Sequence, residues 1–151
     1  MANRDIAQQT LVEHETLKHI TGSLRTILSW HAEQTGAARK LSSLRFVVQS
    51  FQRHLERLMA LEEYDGYMSA VVQAKPRLSA EVQDLREEHG SFRTTLNRLV
   101  GRFEQLSPTE QSCFDAACED LATLLQSVDA HSSREVHLLQ DALLQDEGGE
   151  A

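Results

Sequence analysis

Residues 128–142 read VDAHSSREVHLLQDA and continue a longer pattern of apolar residues spaced three and four apart. This spacing places side chains on one face of an α-helix and is typical of the buried stripe of a bundle helix. The apolar positions are Phe114, Ala117, Leu121, Leu124, Val128, Leu138 and Ala142. The same spacing, continued from Val128, reaches His131 and Glu135, so an imidazole and a carboxylate should point into the core. Burying them costs roughly several kcal/mol unless a partner such as a metal ion satisfies them.

Three earlier segments carry stripes of the same kind. They read Leu11, His14, Leu17, Thr21, Leu24 and Leu28; Leu44, Val48, Phe51, Leu55, Leu58 and Glu62; and Val82, Leu85, His89, Phe92, Leu96, Leu99 and Phe103. The connections between these segments are short, apart from residues 66–78, and short connections favour antiparallel neighbours. The sequence therefore predicts an all-α protein, an up-down-up-down four-helix bundle.

Local signals predict where the helices begin and end. The capping-box pattern Thr10–Glu13 should start the first helix, and Thr35–Gly36 should end it. Ser79 is the expected cap of the third helix, and residues 107–110, SPTE, should open the fourth. The fourth helix is expected to end before the glycines at 148 and 149. We therefore expect an N-terminal extension over residues 1–9, a bundle over 10–147 and an acidic tail over 148–151.

The composition restricts the possible partners and the compartment. The chain has 151 residues and a formal net charge of −8, which argues against nucleic acid or an anionic membrane as the main partner. No apolar run is long enough to span a bilayer, and the first residues lack the apolar core of a signal peptide. The two cysteines, Cys113 and Cys118, lie five positions apart on one helix, where an intrahelix disulfide is not expected. These features predict a cytoplasmic protein.

Each of the four stripes carries a polar residue where the spacing asks for an apolar one. These residues are His14, Glu62, His89, His131 and Glu135. A single buried histidine is most often satisfied by hydrogen bonds, and a buried glutamate could pair with it as an ion pair. Five such residues on four stripes favour one shared partner, because buried ionisable groups seldom accumulate otherwise. Imidazole and carboxylate ligands projecting inward from bundle helices are typical of non-haem iron or manganese, with zinc as an alternative.

The order and spacing of these motifs resemble the hemerythrin-like (HHE cation-binding) family. His131-Ser-Ser-Arg-Glu135 resembles the His-x3-Glu of that family's fourth helix, and Leu85-Arg-Glu-Glu-His89 resembles the histidine motif of its third. Residues 60–68, ALEEYDGYM, resemble the carboxylate end of its second helix, and Val12-Glu-His14-Glu resembles its first. The resemblance covers residues 10–148. It implies that the histidines are terminal ligands and that Glu62 and Glu135 bridge two iron ions.

One position departs from the family pattern. The second helix of the family has a histidine four residues before its glutamate, where this chain has Leu58 before Glu62 and Met59 before Glu63. His54 is a further candidate ligand, although it lies eight residues, or about 12 Å, along a regular helix from Glu62. Two metals with an additional open position, one metal near His89 and His131, and no metal are then all reasonable outcomes.

We therefore predict a hemerythrin-like non-haem iron protein, with a di-iron centre and with one ion or none as alternatives. Oxygen, nitric oxide or peroxide would react at an open coordination position, for sensing, binding or iron handling. No nucleophile or general acid is visible, so no catalytic residue is assigned and an enzyme is not predicted. The alternative is a metal-free or single-metal bundle that acts as an interaction or dimerisation module, and a homodimer is compatible with either. Tyr67 is interpreted as a packing residue, and the run Arg86–Glu88 as a solvated face.

Overall fold

The computed structural model describes residues 2–31 and 35–144, and within them it contains four long α-helices, one short α-helix and no strand. The α-helices are α1 (Ala2–Leu28), α2 (Thr35–Glu63), α3 (Tyr67–Ala74), α4 (Ser79–Gln105) and α5 (Gln111–Leu139). A 3-10 turn, Pro76–Leu78, precedes α4, and a π-helical turn, Gln140–Leu144, continues α5. None of the helices in the described ranges combines the length and hydropathy that a bilayer crossing requires.

Contacts between side chains and neighbouring helices show that adjacent long helices run antiparallel. Along α2 and α4, Arg45 Nε donates to the carbonyl oxygen of Phe103 at 2.6 Å. About three turns further along α2, Glu56 accepts a hydrogen bond of 2.9 Å from Arg93, which lies earlier on α4 than Phe103. The helices α1 and α4 each pack against both α2 and α5, and α3 fills the connection between α2 and α4. This arrangement confirms the predicted four-helix bundle.

The buried faces follow the predicted stripes and leave a polar layer between two apolar clusters. All seven predicted stripe residues of α4 are buried, as are the six of α2. The larger apolar cluster includes Leu17, Phe92 and Val128, and the smaller one includes Ala7, Leu85 and Leu138. On α1, α4 and α5 the polar stripe residues fall between members of the two clusters. We refer to this level of the bundle as the polar layer.

The predicted start and end of the first helix are wrong. The helix α1 begins at Ala2, so the expected extension over residues 1–9 is helical from residue 2 onward. Thr10 lies inside α1, and its Oγ1 donates to the carbonyl oxygen of Ile6 at 2.7 Å. The helix ends at Leu28, where Lys40 Nζ donates to the carbonyl oxygens of Leu28 and Trp30, both at 3.0 Å. A cation from α2 thus stabilises the negative end of the α1 dipole.

Two predicted N-caps also differ from the structure. Ser79 is the first residue of α4, and its Oγ donates to the carbonyl oxygen of Pro76 at 2.7 Å instead of capping the helix. Ser107 Oγ accepts the backbone N–H of Thr109 at 3.3 Å, which forms a turn, and α5 begins later, at Gln111. Both serines satisfy backbone groups of the connections. The glycines at 148 and 149 and the acidic tail lie outside the described residues.

The turn between α2 and α3 gives a first testable prediction. A Cβ on Gly66 would lie 2.0 Å from the carbonyl oxygen of Leu61 and 2.7 Å from that of Glu62. Gly66→Ala should therefore force the backbone apart and lower the free energy of unfolding by about 1–3 kcal/mol. Gly22→Ala is the matched control, because Gly22 lies within α1 and has no such atom within 4 Å. It should stabilise the fold by about 0.5–1 kcal/mol.

Urea denaturation of both variants measures the difference. Equal stability of Gly66→Ala and the unmodified protein would show that the turn is not as tight as described.

Candidate metal centre

Five side chains from four helices meet in the polar layer. They are His14 on α1, Glu62 on α2, His89 on α4, and His131 and Glu135 on α5, and each is at most 7% exposed. They meet because each occupies a stripe position of its helix, and the antiparallel packing brings those positions to one level. All five residues singled out in the sequence are therefore brought together.

Their ligand atoms form two groups that share one carboxylate. The His14 triad consists of His14, Glu62 and Glu135, and the His89 triad consists of His89, His131 and Glu135. Within each triad, one ligand atom per residue lies within 4.8 Å of the others. His14 Nε2 is 2.9 Å from Glu62 Oε2 and 3.6 Å from Glu135 Oε1. His131 Nε2 is 3.1 Å from Glu135 Oε1, and His89 Nε2 is 3.4 Å from Glu135 Oε2.

Glu62 also reaches both triads. Its Oε1 lies 3.3 Å from His89 Nε2, while its other oxygen faces His14. Both glutamates are therefore placed where a carboxylate could span two ions.

Several of these atoms are buried without a hydrogen-bond partner. Among the described residues, His89 Nε2, His131 Nε2 and Glu62 Oε1 are in this state, and so is His14 Nδ1. An unsatisfied buried polar group costs about 1–3 kcal/mol. The first three atoms carry lone pairs when the imidazoles have the Nδ1–H tautomer, and one cation could accept electron density from all of them. The residues of the layer therefore fit a metal ion.

Two outer carboxylates set that tautomer. His89 Nδ1 lies 2.7 Å from Glu63 Oε2, and His131 Nδ1 lies 2.6 Å from Glu88 Oε1. A carboxylate that accepts the Nδ1–H leaves the Nε2 lone pair directed at the centre, as second-layer partners of metal-binding histidines do.

Arginines hold these carboxylates in turn. Arg93 donates two hydrogen bonds to Glu63, at 2.9 and 3.1 Å, and Arg134 donates one of 2.7 Å to Glu88. The two histidine rings of the His89 triad are thus fixed by a second and a third layer of contacts.

Tyr67 adds a contact that the packing interpretation did not include. Its side chain is fully buried at the start of α3, and its hydroxyl donates to Glu135 Oε2 at 2.6 Å. Burial and the charges of Glu135 and Glu62 raise the pKa of Tyr67 well above its ordinary value, so the hydroxyl keeps its proton in the metal-free protein.

Charge is distributed unequally between the two central carboxyls. Burial and the nearby charge of Glu135 raise the pKa of Glu62 well above its ordinary value. Burial would raise the pKa of Glu135 too, but the nearby imidazoles of His131 and His89 outweigh it and lower this pKa. The two carboxyls therefore differ in the metal-free protein, where a negative charge is favoured on Glu135 over Glu62. A cation bound here would displace protons, as is usual at metal sites.

The pKa values of the three histidines also shift in different directions. Burial lowers the pKa of His89, but the nearby carboxylates of Glu135 and Glu62, 3.4 and 3.3 Å from its Nε2, outweigh it and raise the pKa to about 9. Burial lowers the pKa of His131 as well, but Glu135 and Glu88 outweigh it and raise this pKa above its ordinary value. For His14, burial dominates over the attraction of Glu135 and lowers the pKa.

The sixth candidate ligand, His54, is not brought into the polar layer. It is buried, but its Nε2 lies 3.3 Å from the carbonyl oxygen and 3.5 Å from the carboxylate of Glu13. The helix α2 runs without interruption from Thr35 to Glu63, so no bulge redirects His54 towards the layer. Leu58 is 2% exposed and belongs to the larger apolar cluster, so the position where the family pattern has a histidine supplies no ligand atom.

The fold and this layer together define a class: four-helix bundles that project histidines and carboxylates inward towards a metal. Residues 5–143 match the family model described as the hemerythrin HHE cation-binding domain. The chain belongs to that family, which confirms the resemblance predicted from the motifs. Comparisons with curated proteins and with solved structures gave no match.

The pKa of His89 predicts how the stability of the metal-free protein depends on pH. The folded pKa of about 9 exceeds the ordinary value of 6.5, so protonated His89 stabilises the fold fully below pH 6.5. That stabilisation should be lost as the pH rises towards 9, because the unfolded chain releases the proton first. Each unit between folded and unfolded pKa values corresponds to about 1.4 kcal/mol. The raised pKa of Glu62 acts in the same direction.

Urea denaturation of chelator-treated protein at pH 6.5 and pH 9 tests this dependence. The free energy of unfolding should be lower at pH 9, and the decrease should be smaller in His89→Gln. An unchanged midpoint across this range would contradict the assignment of the proton to His89.

Proposed function

We propose that this protein is a hemerythrin-like non-haem iron protein, with iron held among His14, Glu62, His89, His131 and Glu135. The observation that carries the proposal is the set of unpartnered ligand atoms in the polar layer, His89 Nε2, His131 Nε2 and Glu62 Oε1. Membership of a cation-binding family supports it independently. Three imidazoles and two carboxylates suit iron or manganese better than magnesium or calcium, which prefer oxygen ligands alone.

Iron bound here would supply redox chemistry and a coordination position for oxygen, nitric oxide or peroxide. The chain's own residues prepare the surroundings of that position. Apolar clusters close the layer at its two ends along the bundle axis, and the Tyr67 hydroxyl donates a proton in its hydrogen bond to Glu135 Oε2. The function that fits these features is binding or sensing of a small oxidant, or the handling of iron itself.

A second candidate is a bundle with a single ion or none, acting as an interaction module. Leu58 favours it, because the His14 triad has one imidazole where the family pattern would give two. A metal-free module would show the same melting temperature with and without a chelator, whereas an ion bound only to the folded state raises that temperature.

Iron content of matched histidine variants tests the proposal. Protein reconstituted anaerobically with Fe²⁺ and then desalted should keep at least one iron per chain. His131→Gln should lose most of this iron, because it removes one of the two imidazoles of the His89 triad. His54→Gln is the matched control: it makes the same change at another buried histidine, one that faces Glu13, and should keep the iron of the unmodified protein.

Elemental analysis gives the stoichiometry, and thermal unfolding with and without a chelator gives an independent readout. Less than stoichiometric iron in the unmodified protein, or equal retention by His131→Gln, would refute the proposal.

A further inference from the structure

The two triads differ in the contacts behind their histidines. In the His89 triad both rings donate Nδ1–H to a carboxylate, Glu63 or Glu88, and an arginine holds each carboxylate. In the His14 triad the single ring has no such partner, since His14 Nδ1 is buried without a hydrogen bond. Outer partners of this kind are worth about 10–100-fold in metal affinity.

The triads also differ in ligand number. Two imidazoles and the shared Glu135 face one side, with Glu62 Oε1 3.3 Å from His89 Nε2. One imidazole and the same two carboxylates face the other side. The residue one turn before Glu62 on α2 is Leu58, whose side chain packs in the apolar cluster and carries no ligand atom. An ion on the His14 side therefore has fewer protein ligands.

Solvent approaches the layer on the side of His14. A groove of about 750 Å³ lies between α1 and α5, and His14 is the only one of the five candidate ligands that lines it. Small polar side chains such as Ser132 and Ser133 line the groove together with charged ones, among them Lys18 and the ion pair of Arg25 and Asp129. His14 is 7% exposed, whereas His89 and Glu62 are fully buried.

From these three differences we infer that the layer holds divalent metal ions unequally. The His89 triad retains a resident ion, and the His14 triad takes up and releases a second divalent ion through the groove between α1 and α5. The inference rests on the proposed metal binding and assigns separate roles to its two halves. The His14 triad is then an exchangeable site, and its occupancy depends on the free concentration of the divalent cation.

A calorimetric titration of chelator-treated protein with Co²⁺, used as an air-stable substitute for Fe²⁺, tests the inequality. Two binding events should appear, with dissociation constants at least tenfold apart. His14→Gln should remove the weaker event and leave the tighter one. Leu58→His should strengthen the weaker event by adding an imidazole one turn before Glu62. His54→Gln is the control and should leave both events unchanged.

The route is tested by the rate at which a chelator removes the weaker ion, followed by Co²⁺ absorbance. Ser133→Trp places a large side chain in the groove and should slow this removal at least fivefold. Ser127→Trp is the matched control, because Ser127 lies on the same helix but lines a groove between α4 and α5 that contains no candidate ligand. It should leave the rate unchanged.

The outcomes separate this inference from the proposal beneath it. Absence of any Co²⁺ binding would refute the proposed metal binding as a whole. Two ions of equal affinity, a single binding event, or loss of the tighter ion in His14→Gln would overturn the unequal assignment while metal binding itself stood. Equal removal rates in the two tryptophan variants would overturn the route.

Discussion

The polar layer depends on the buried carboxylate of Glu135. It is 1% exposed, and its two oxygens face His14, His89 and His131 and accept the Tyr67 hydroxyl. Contacts from α1, α3, α4 and α5 thus converge on a single side chain. A buried charge is tolerated only when its surroundings compensate it, and removing one partner of such a group is strongly destabilising. The positions of the neighbouring helices are therefore constrained by the need to satisfy this carboxylate.

The two apolar clusters strengthen the requirement that the Glu135 carboxylate find its partners within the protein. They lie on either side of the polar layer, so water does not easily replace a missing partner, and the low dielectric strengthens each contact that is made. A shift of one helix by a turn would bring apolar side chains against Glu135 and move an imidazole into an apolar cluster. The polar layer therefore specifies the vertical register of the bundle, while the apolar clusters supply most of the stability.

The fold and the central residues could be predicted because both follow from one periodicity. Spacing of three and four places Val128, His131, Glu135 and Leu138 on the same face, and that face must be buried in any bundle. The helix ends were less predictable, since Ser79 and Ser107 have the chemistry of caps but satisfy connection carbonyls or amides instead. The sequence shows that a serine can form a hydrogen bond, but it does not show which backbone group will lie within reach.

The outer contacts could not be predicted for a different reason. Glu63 and Glu88 each precede or follow a stripe residue by one position, so their sequence context is that of a solvated face. They reach the histidines only across helix interfaces, and that reach depends on the rotation and separation of two helices. Tyr67 likewise contacts Glu135 because the turn at Gly66 directs α3 back towards the layer. His54 shows the converse, since a histidine close to the stripe in sequence faces Glu13 across the interface with α1.

The turn at Gly66 also divides the connections of the bundle into two kinds. Glu62, the turn and Tyr67 are consecutive parts of one structure, so the α2–α3 connection is part of the wall around Glu135. The end of α1, the start of α2 and the connection over residues 106–110 lie at the opposite end of the long helices. Extra residues there would lengthen surface loops without displacing a ligand atom. The length of the α2–α3 connection is therefore constrained by the polar layer, whereas changes of loop length at the opposite end of the bundle should be tolerated.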